Sequence, residues 1–214
     1  MASTLPTPVN LFLTSALSSR SYVYLCMNAV QVSARHDRMS LKDGSEVGIR
    51  CVNASDRDSL TALYDRLSQH SRYQRFFACP ARLPAAWADM LVEVLPERRF
   101  GLVAEVLGEP PRVIAIANCT ISPDRRWAEV GLLVEDAWQD RGLGRVLCER
   151  LISWCEARDV RVFVAYVHWD NERVIGALGR HAVIIDRRLE SGVLKFTFTR
   201  SLGDSSRARG SIKR

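Results

Sequence analysis

The sequence predicts an α/β domain with a mixed, mostly antiparallel central sheet flanked by helices, and three observations predict it. Several apolar, β-branched stretches follow one another across short turn clusters, Gly108-Glu109-Pro110-Pro111 and Ser122-Pro123-Asp124, and such tight links join antiparallel neighbours. Two helical patterns precede these strands. One long crossover, strand to glycine loop to helix to strand, then requires a parallel pair of strands.

The elements follow in order from Asp43. "GSEVGIRCV" reads as the first strand, and Ser55 with Asp58 resembles a capping box ahead of Leu60, Leu63, Tyr64 and Leu67. "PAAWADMLVEVL" is a second helix opened by Pro84. The strands "FGLVAEVL", "RVIAIANCTI" and "WAEVGLLV" come next. Beyond the glycines, Leu143, Val146, Leu147, Leu151, Trp154 and Cys155 recur at spacings of three and four, an amphipathic helix that leads into the strand "VRVFVAYV". A last helix from about Asn171 to Gly179 precedes "AVIIDRRL" and "VLKFTFTR", two strands around Glu190-Ser191-Gly192.

The chain of 214 residues is long enough for one domain with a real core. Residues 1–42 read as an N-terminal extension, disordered or upstream of a start at Met39; 43–202 form the domain, and 203–214 a basic, flexible tail carrying Arg207, Arg209, Lys213 and Arg214. Much of the net charge of +6 sits in that tail, and no base-reading motif accompanies it, so no specific nucleic-acid partner is expected. No apolar run approaches a membrane span, six scattered cysteines form no CxxC pair, and the four histidines have no metal spacing. A cytoplasmic protein without a metal, monomeric or homodimeric, is the expectation.

Two glycines one residue apart, Gly142 and Gly144, sit where a helix begins and its unsatisfied N–H groups favour anions. Leu147 occupies the place of the third small residue of a dinucleotide fingerprint, and no GxxxxGK[ST] is present. What stands there is Gln139-x-x-Gly142-x-Gly144 after the strand "AEVGLLV".

That motif in its strand, loop and helix context resembles the GNAT family of acyl-CoA N-acyltransferases. The resemblance runs from about Leu41 to Leu202, and "LKDGSEVGIR", "LSQHSRYQRFF" and "WAEVGLLVEDAWQDRGLG" look most like bacterial protein lysine acetyltransferases of the Pat type. It implies the GNAT fold, with the parallel strand pair splayed apart. It also implies that the loop residues Gln139, Asp140, Arg141, Gly142, Leu143, Gly144 and Arg145 hold the pyrophosphate of acetyl-CoA. The backbone at Leu132, Leu133 and Val134 would pair with the pantetheine arm, and Asn171 would lie near it, although Asn171 suits an ordinary helix N-cap equally well.

Transfer to an amine needs the neutral base, and a lysine with pKa about 10.4 is neutral about once in 2,500 at pH 7, a cost of roughly 4.6 kcal/mol. Glu129, a carboxylate inside an otherwise apolar strand, is the candidate general base, matching a glutamate with that role in the Pat-like enzymes. The alternative is an edge-strand carboxylate paired with a nearby arginine. The family's tyrosine acid has no counterpart, because Leu178 and Gly179 stand in its place, and His181-Ala182 replace the usual Gly-Phe. Arg72, Tyr73 and Arg75 are candidates to face the acceptor, Phe76 and Phe77 to pack in the core, and His168 and Trp169 to line the site. The expected acceptor is a protein lysine, with a small-molecule amine or a noncatalytic acyl-CoA-binding role as alternatives.

Overall fold

A computed structural model describes residues 37–201. Residues 1–36 and 202–214, which include most of the expected extension and the expected basic tail, lie outside the described residues. The chain runs β1 (Asp37–Ser40), β2 (Glu46–Cys51), α1 (Arg57–Arg66), α2 (Gln69–Phe76), α3 (Ala85–Val92), β3 (Arg99–Val106), β4 (Arg112–Ile121), β5 (Ala128–Val134), α4 (Leu143–Glu156), β6 (Phe163–His168), α5 (Glu172–His181), β7 (Ala182–Glu190) and β8 (Val193–Arg200). The eight strands form one sheet in the order β1-β2-β3-β4-β5-β6-β8-β7, antiparallel throughout except for the β5-β6 pair. This is the mixed α/β architecture expected from the turn lengths and the single crossover.

Local details differ from expectation in three places. The sheet starts at Asp37 rather than after residue 42, because β1 pairs with β2 and Asp37 is tied to Arg150 of α4 at 2.5 Å. The capping box lies two residues earlier than Ser55 and Asp58: Asn53 accepts from the Ser55 backbone and Asp56 from the Asn53 backbone, opening a 3-10 turn before α1. "SQHSRYQRF" forms a helix of its own, α2, capped by Ser68 and ended at Phe77 with φ 55°.

The sheet carries a layer on each face. On one, α4 buries Leu143, Leu147, Leu151, Trp154 and Cys155 against β-strand residues such as Ala117, Ala128 and Val134, and α5 adds Val174, Ile175 and Leu178. On the other, α1 and α3 bury Leu60, Leu63, Tyr64, Ala88 and Leu91 against Val103, Ile116 and Leu133. Phe76 stacks on Trp87 at 5.1 Å, in the core as expected. The five cysteines among the described residues are free, and the Cys119 and Cys155 sulfurs lie 3.6 Å apart inside the α4 layer.

An ion cluster joins β2, β3 and the first capped turn. Arg50 bridges Asp56 and Glu105, each at 2.6 Å, and both carboxylates are almost completely buried. Removing one partner of such a buried cluster leaves a desolvated charge behind. Asp56→Ala should therefore cost about 3 kcal/mol, also losing the capping box, as read from urea unfolding.

Candidate active site

The site grows from one irregularity of the sheet. β5 is paired with β4 along its whole length, from Ala128 to Val134, but with β6 only at Ala128 and Glu129. The Ala128 amide donates to Val162 on the β6 side, whereas the Glu135 amide donates to Ile114 of β4. Backbone groups alternate sides along a strand. Val130, Leu132 and Val134 thus turn their N–H and C=O groups toward the gap between β5 and β6, while those of Leu133 turn to β4. Of the three strand residues expected to meet a ligand through the backbone, Leu132 and Val134 are so placed and Leu133 is not.

The gap opens as a cleft of about 150 Å³ whose wall includes Leu132, Leu133, Val134, Gln139, Asp140, Gly144, Asn171, Arg75 and Arg173. Gln139 closes its loop end, donating from Nε2 to the Val134 carbonyl at 2.9 Å while accepting from Arg173. Arg173 also reaches Asp140 at 3.4 Å. Asn171 is the N-cap of α5, accepting from the Val174 amide at 3.2 Å, and its side chain lines the cleft as well.

Gly142 is the N-cap of α4 with φ 88°, a conformation that needs glycine, and it offers no side chain to cap the helix. The first-turn amides from Leu143 onward are left without intrahelical acceptors at the positive end of a 14-residue helix. Leu143 is buried and anchors the turn. A Cβ on Gly144 would stand 3.0 Å from Leu132 Cδ2, so the bare backbone keeps the cleft open. Arg141 is held by Asp43 at 2.6 Å and lies over the Trp138 ring; Arg145 pairs with Glu149 along α4.

Lys42 was assigned by sequence to the extension, yet its methylenes pass over Gly142 and its amide donates to the Arg141 carbonyl at 3.3 Å. No local pattern could reveal this, since the turn between β1 and β2 meets the loop only in the folded chain.

Glu129 lies on the face of the sheet covered by α2, and β5 is an interior strand, so the edge-strand alternative does not describe it. Its side chain reaches solvent within a basin dense in protein atoms. Partial desolvation raises its pKa above the ordinary glutamate value, against the opposing pull of Arg75, Arg99 and Lys195. Strand register fills the basin: Arg99, Thr120, Glu129 and Val164 stand in one row across β3, β4, β5 and β6, and Asn118 faces Gly131 in the next. Tyr166 follows Val164 by two positions on β6 and pairs with Lys195; desolvation and the charges of Glu129 and Glu190 hold its phenol protonated. Tyr166 and Lys195 were absent from the sequence reading, although alternation along "FVAYVH" would have placed Tyr166 once the β5-β6 register was known.

Among the expected acceptor-side residues, Arg72 is committed elsewhere, donating to the Tyr64 and Asp65 carbonyls. Tyr73 sits edge-on to His168 at 5.0 Å, and the His168 ring is fixed by Asp170 at 2.5 Å. Trp169 is largely exposed and covers Gly192. The described residues hold no group of three or more His, Cys, Asp or Glu arranged for a metal, and no helix long and apolar enough to cross a membrane.

A glycine turn opening a helix beside a strand that has lost its neighbour is the arrangement that the resemblance to acyl-CoA N-acyltransferases implies, and comparisons with known proteins place the chain among them. Residues 59–181 match the family model described as Acetyltransferase (GNAT) family, and the chain belongs to that family of acetyltransferases. It is similar to the GNAT domain of S. lividans PAT, with 28% identity over 77% of this chain and 96% of that one and a TM-score of 0.69. It shares the fold of the putative acetyltransferase yncA from Salmonella typhimurium, solved with its cofactor acetyl-CoA, at 24% identity, 72% and 92% coverage and a TM-score of 0.52. A GNAT-family acetyltransferase from Streptococcus pneumoniae has the same fold at 18% identity, 71% and 97% coverage and a TM-score of 0.54.

At Gly131 the Arg75 side chain of α2 lies against β5: a Cβ there would lie 2.6 Å from Arg75 Nη2 and 3.0 Å from Asn118 Oδ1. Both neighbours are side-chain ends that can move. Gly131→Ala should cost about 1 kcal/mol or less in unfolding experiments, displace the guanidinium, and raise the Glu129 pKa further in an NMR carboxyl titration.

Proposed function

We propose that the protein transfers acetyl from acetyl-CoA to a primary amine, a protein lysine being the acceptor, by direct attack in a ternary complex with Glu129 as general base. The observation that carries the reading is that Glu129, the unpaired side of β5 and the N-terminus of α4 follow one another along one strand and the loop after it. A diphosphate suits the bare amides after Gly142 and the nearby cations Lys42, Arg141 and Arg145. A pantetheine arm carries amides at a spacing that a strand edge can pair, and Leu132 and Val134 present such an edge. The acetyl-CoA held by yncA and the resemblance to Pat-type lysine acetyltransferases support donor and acceptor respectively.

Glu129 takes the ammonium proton; the neutral nitrogen attacks the thioester carbonyl, the C–N bond forms, the C–S bond breaks, coenzyme A departs as thiolate, and the proton left on the amide nitrogen passes to that thiolate or to water. The raised pKa of Glu129 brings its basicity closer to neutrality. Activity depends on the carboxylate form, so kcat/KM should fall as pH drops through a value above the ordinary glutamate range. Glu129→Gln should remove that acid limb and lower kcat by about 10² to 10⁴ without loss of coenzyme A binding in calorimetry. Unchanged turnover in thiol-release assays would remove Glu129 from the chemistry.

Gly144→Val tests the loop. A branched side chain set against Leu132 should weaken coenzyme A binding at least about tenfold, equivalent to about 1.4 kcal/mol, while thermal unfolding moves by only a few degrees.

A further inference from the structure

Of the two arginines in the cleft wall, Arg75 is the one with no ion pair among the described residues. Part of its guanidinium reaches the cleft surface, but Nε is buried and donates to nothing among the described residues. Nη2 donates to Asn118 Oδ1 at 3.1 Å, and no carboxylate stands within ion-pair distance of the guanidinium among the described residues. Glu129 acts on it only through space. Arg173 and Arg141, by contrast, are paired with Asp140 and Asp43. A desolvated guanidinium without a counter-ion is costly, and a site that keeps one generally has an anion to receive.

Position decides which anion. The cleft has an anion-attracting helix end at Gly142 and Gly144, an unpaired strand edge along Leu132, and Arg75 at Gly131 beyond it. A donor laid from loop to basin brings its acyl group to this second cation, one alternate residue short of Glu129. We propose that Arg75 is the receptor for a terminal carboxylate on the acyl group, so that the enzyme favours donors such as malonyl- or succinyl-CoA over neutral acyl-CoA of similar length. The inference rests on the acyl-CoA reading of the cleft given above. The reaction stays balanced as before: the thioester C–S bond breaks, the C–N bond forms, and the distal carboxylate is unchanged, held by charge-assisted hydrogen bonds from Arg75.

Calorimetric titration of the full chain with coenzyme A, succinyl-CoA and pentanoyl-CoA, which is the neutral analogue of similar length, tests this without an acceptor. Succinyl-CoA should bind at least about tenfold more tightly than pentanoyl-CoA. The ratio should fall to near one in Arg75→Gln and persist in part in Arg75→Lys, which keeps the charge without the fork. Tight binding of coenzyme A with no preference between the two acyl donors overturns the Arg75 assignment alone. A preference that survives Arg75→Gln overturns it too. Absence of heat with coenzyme A itself overturns the cleft reading and the assignment with it.

Discussion

Everything at the site depends on the loss of pairing between β5 and β6 after their second register position. A strand in the middle of a sheet ordinarily has both edges satisfied, and a buried amide or carbonyl without a partner is expensive. Here the divergence leaves alternate groups of β5 facing a cleft. The fold meets part of that demand with its own atoms, for Gln139 reaches back to the Val134 carbonyl. The N–H and C=O groups of Leu132 and the N–H of Val134 face the cleft without a strand partner among the described residues.

The two faces of the sheet divide the labour. Leu147 and Leu151 of α4 join Phe163 of β6 and Phe198 of β8 in one apolar floor under the divergent strands, so their separation does not loosen the core. The α2 face stays thin beside β5 and β6, where cations and aromatic rings replace packed aliphatics. Desolvation raises the pKa of Glu129, and Arg75, Arg99 and Lys195 oppose that rise. Gly131 admits the guanidinium that contributes to this balance.

The mixed, mostly antiparallel sheet, the parallel pair and the glycine turn were legible in the sequence because each leaves a local mark: turn residues, alternation, a three-and-four spacing, glycines before a helix. Element identity for β2 to β8, α1, α3, α4 and α5 followed from those marks. α2 was harder, since "QHSRYQRF" buries only Ser71 and owes its helix to the Ser68 cap and to packing across β5 and β6. β1 escaped because four residues with mostly exposed side chains show no hydrophobic period. The site was half legible. Loop residues and Glu129 stood out by type and place, but Lys42 and Tyr166 join them only through tertiary pairing. The backbone direction that separates Leu133 from its neighbours needed the observed β4 register.

The turn between β1 and β2 touches the glycine loop at three points: the Lys42 amide on the Arg141 carbonyl, the Lys42 methylenes over Gly142, and Asp43 on the Arg141 guanidinium. A glycine-rich loop tethered only at its ends would sample many shapes and lose that freedom on meeting a ligand. This one is already stitched to an adjacent hairpin, and its ordering entropy is spent when the chain folds. For the diphosphate proposed to bind this loop, affinity would then be set partly by a segment remote from the reacting atoms, and wear in that hairpin would be felt first as faster ligand escape.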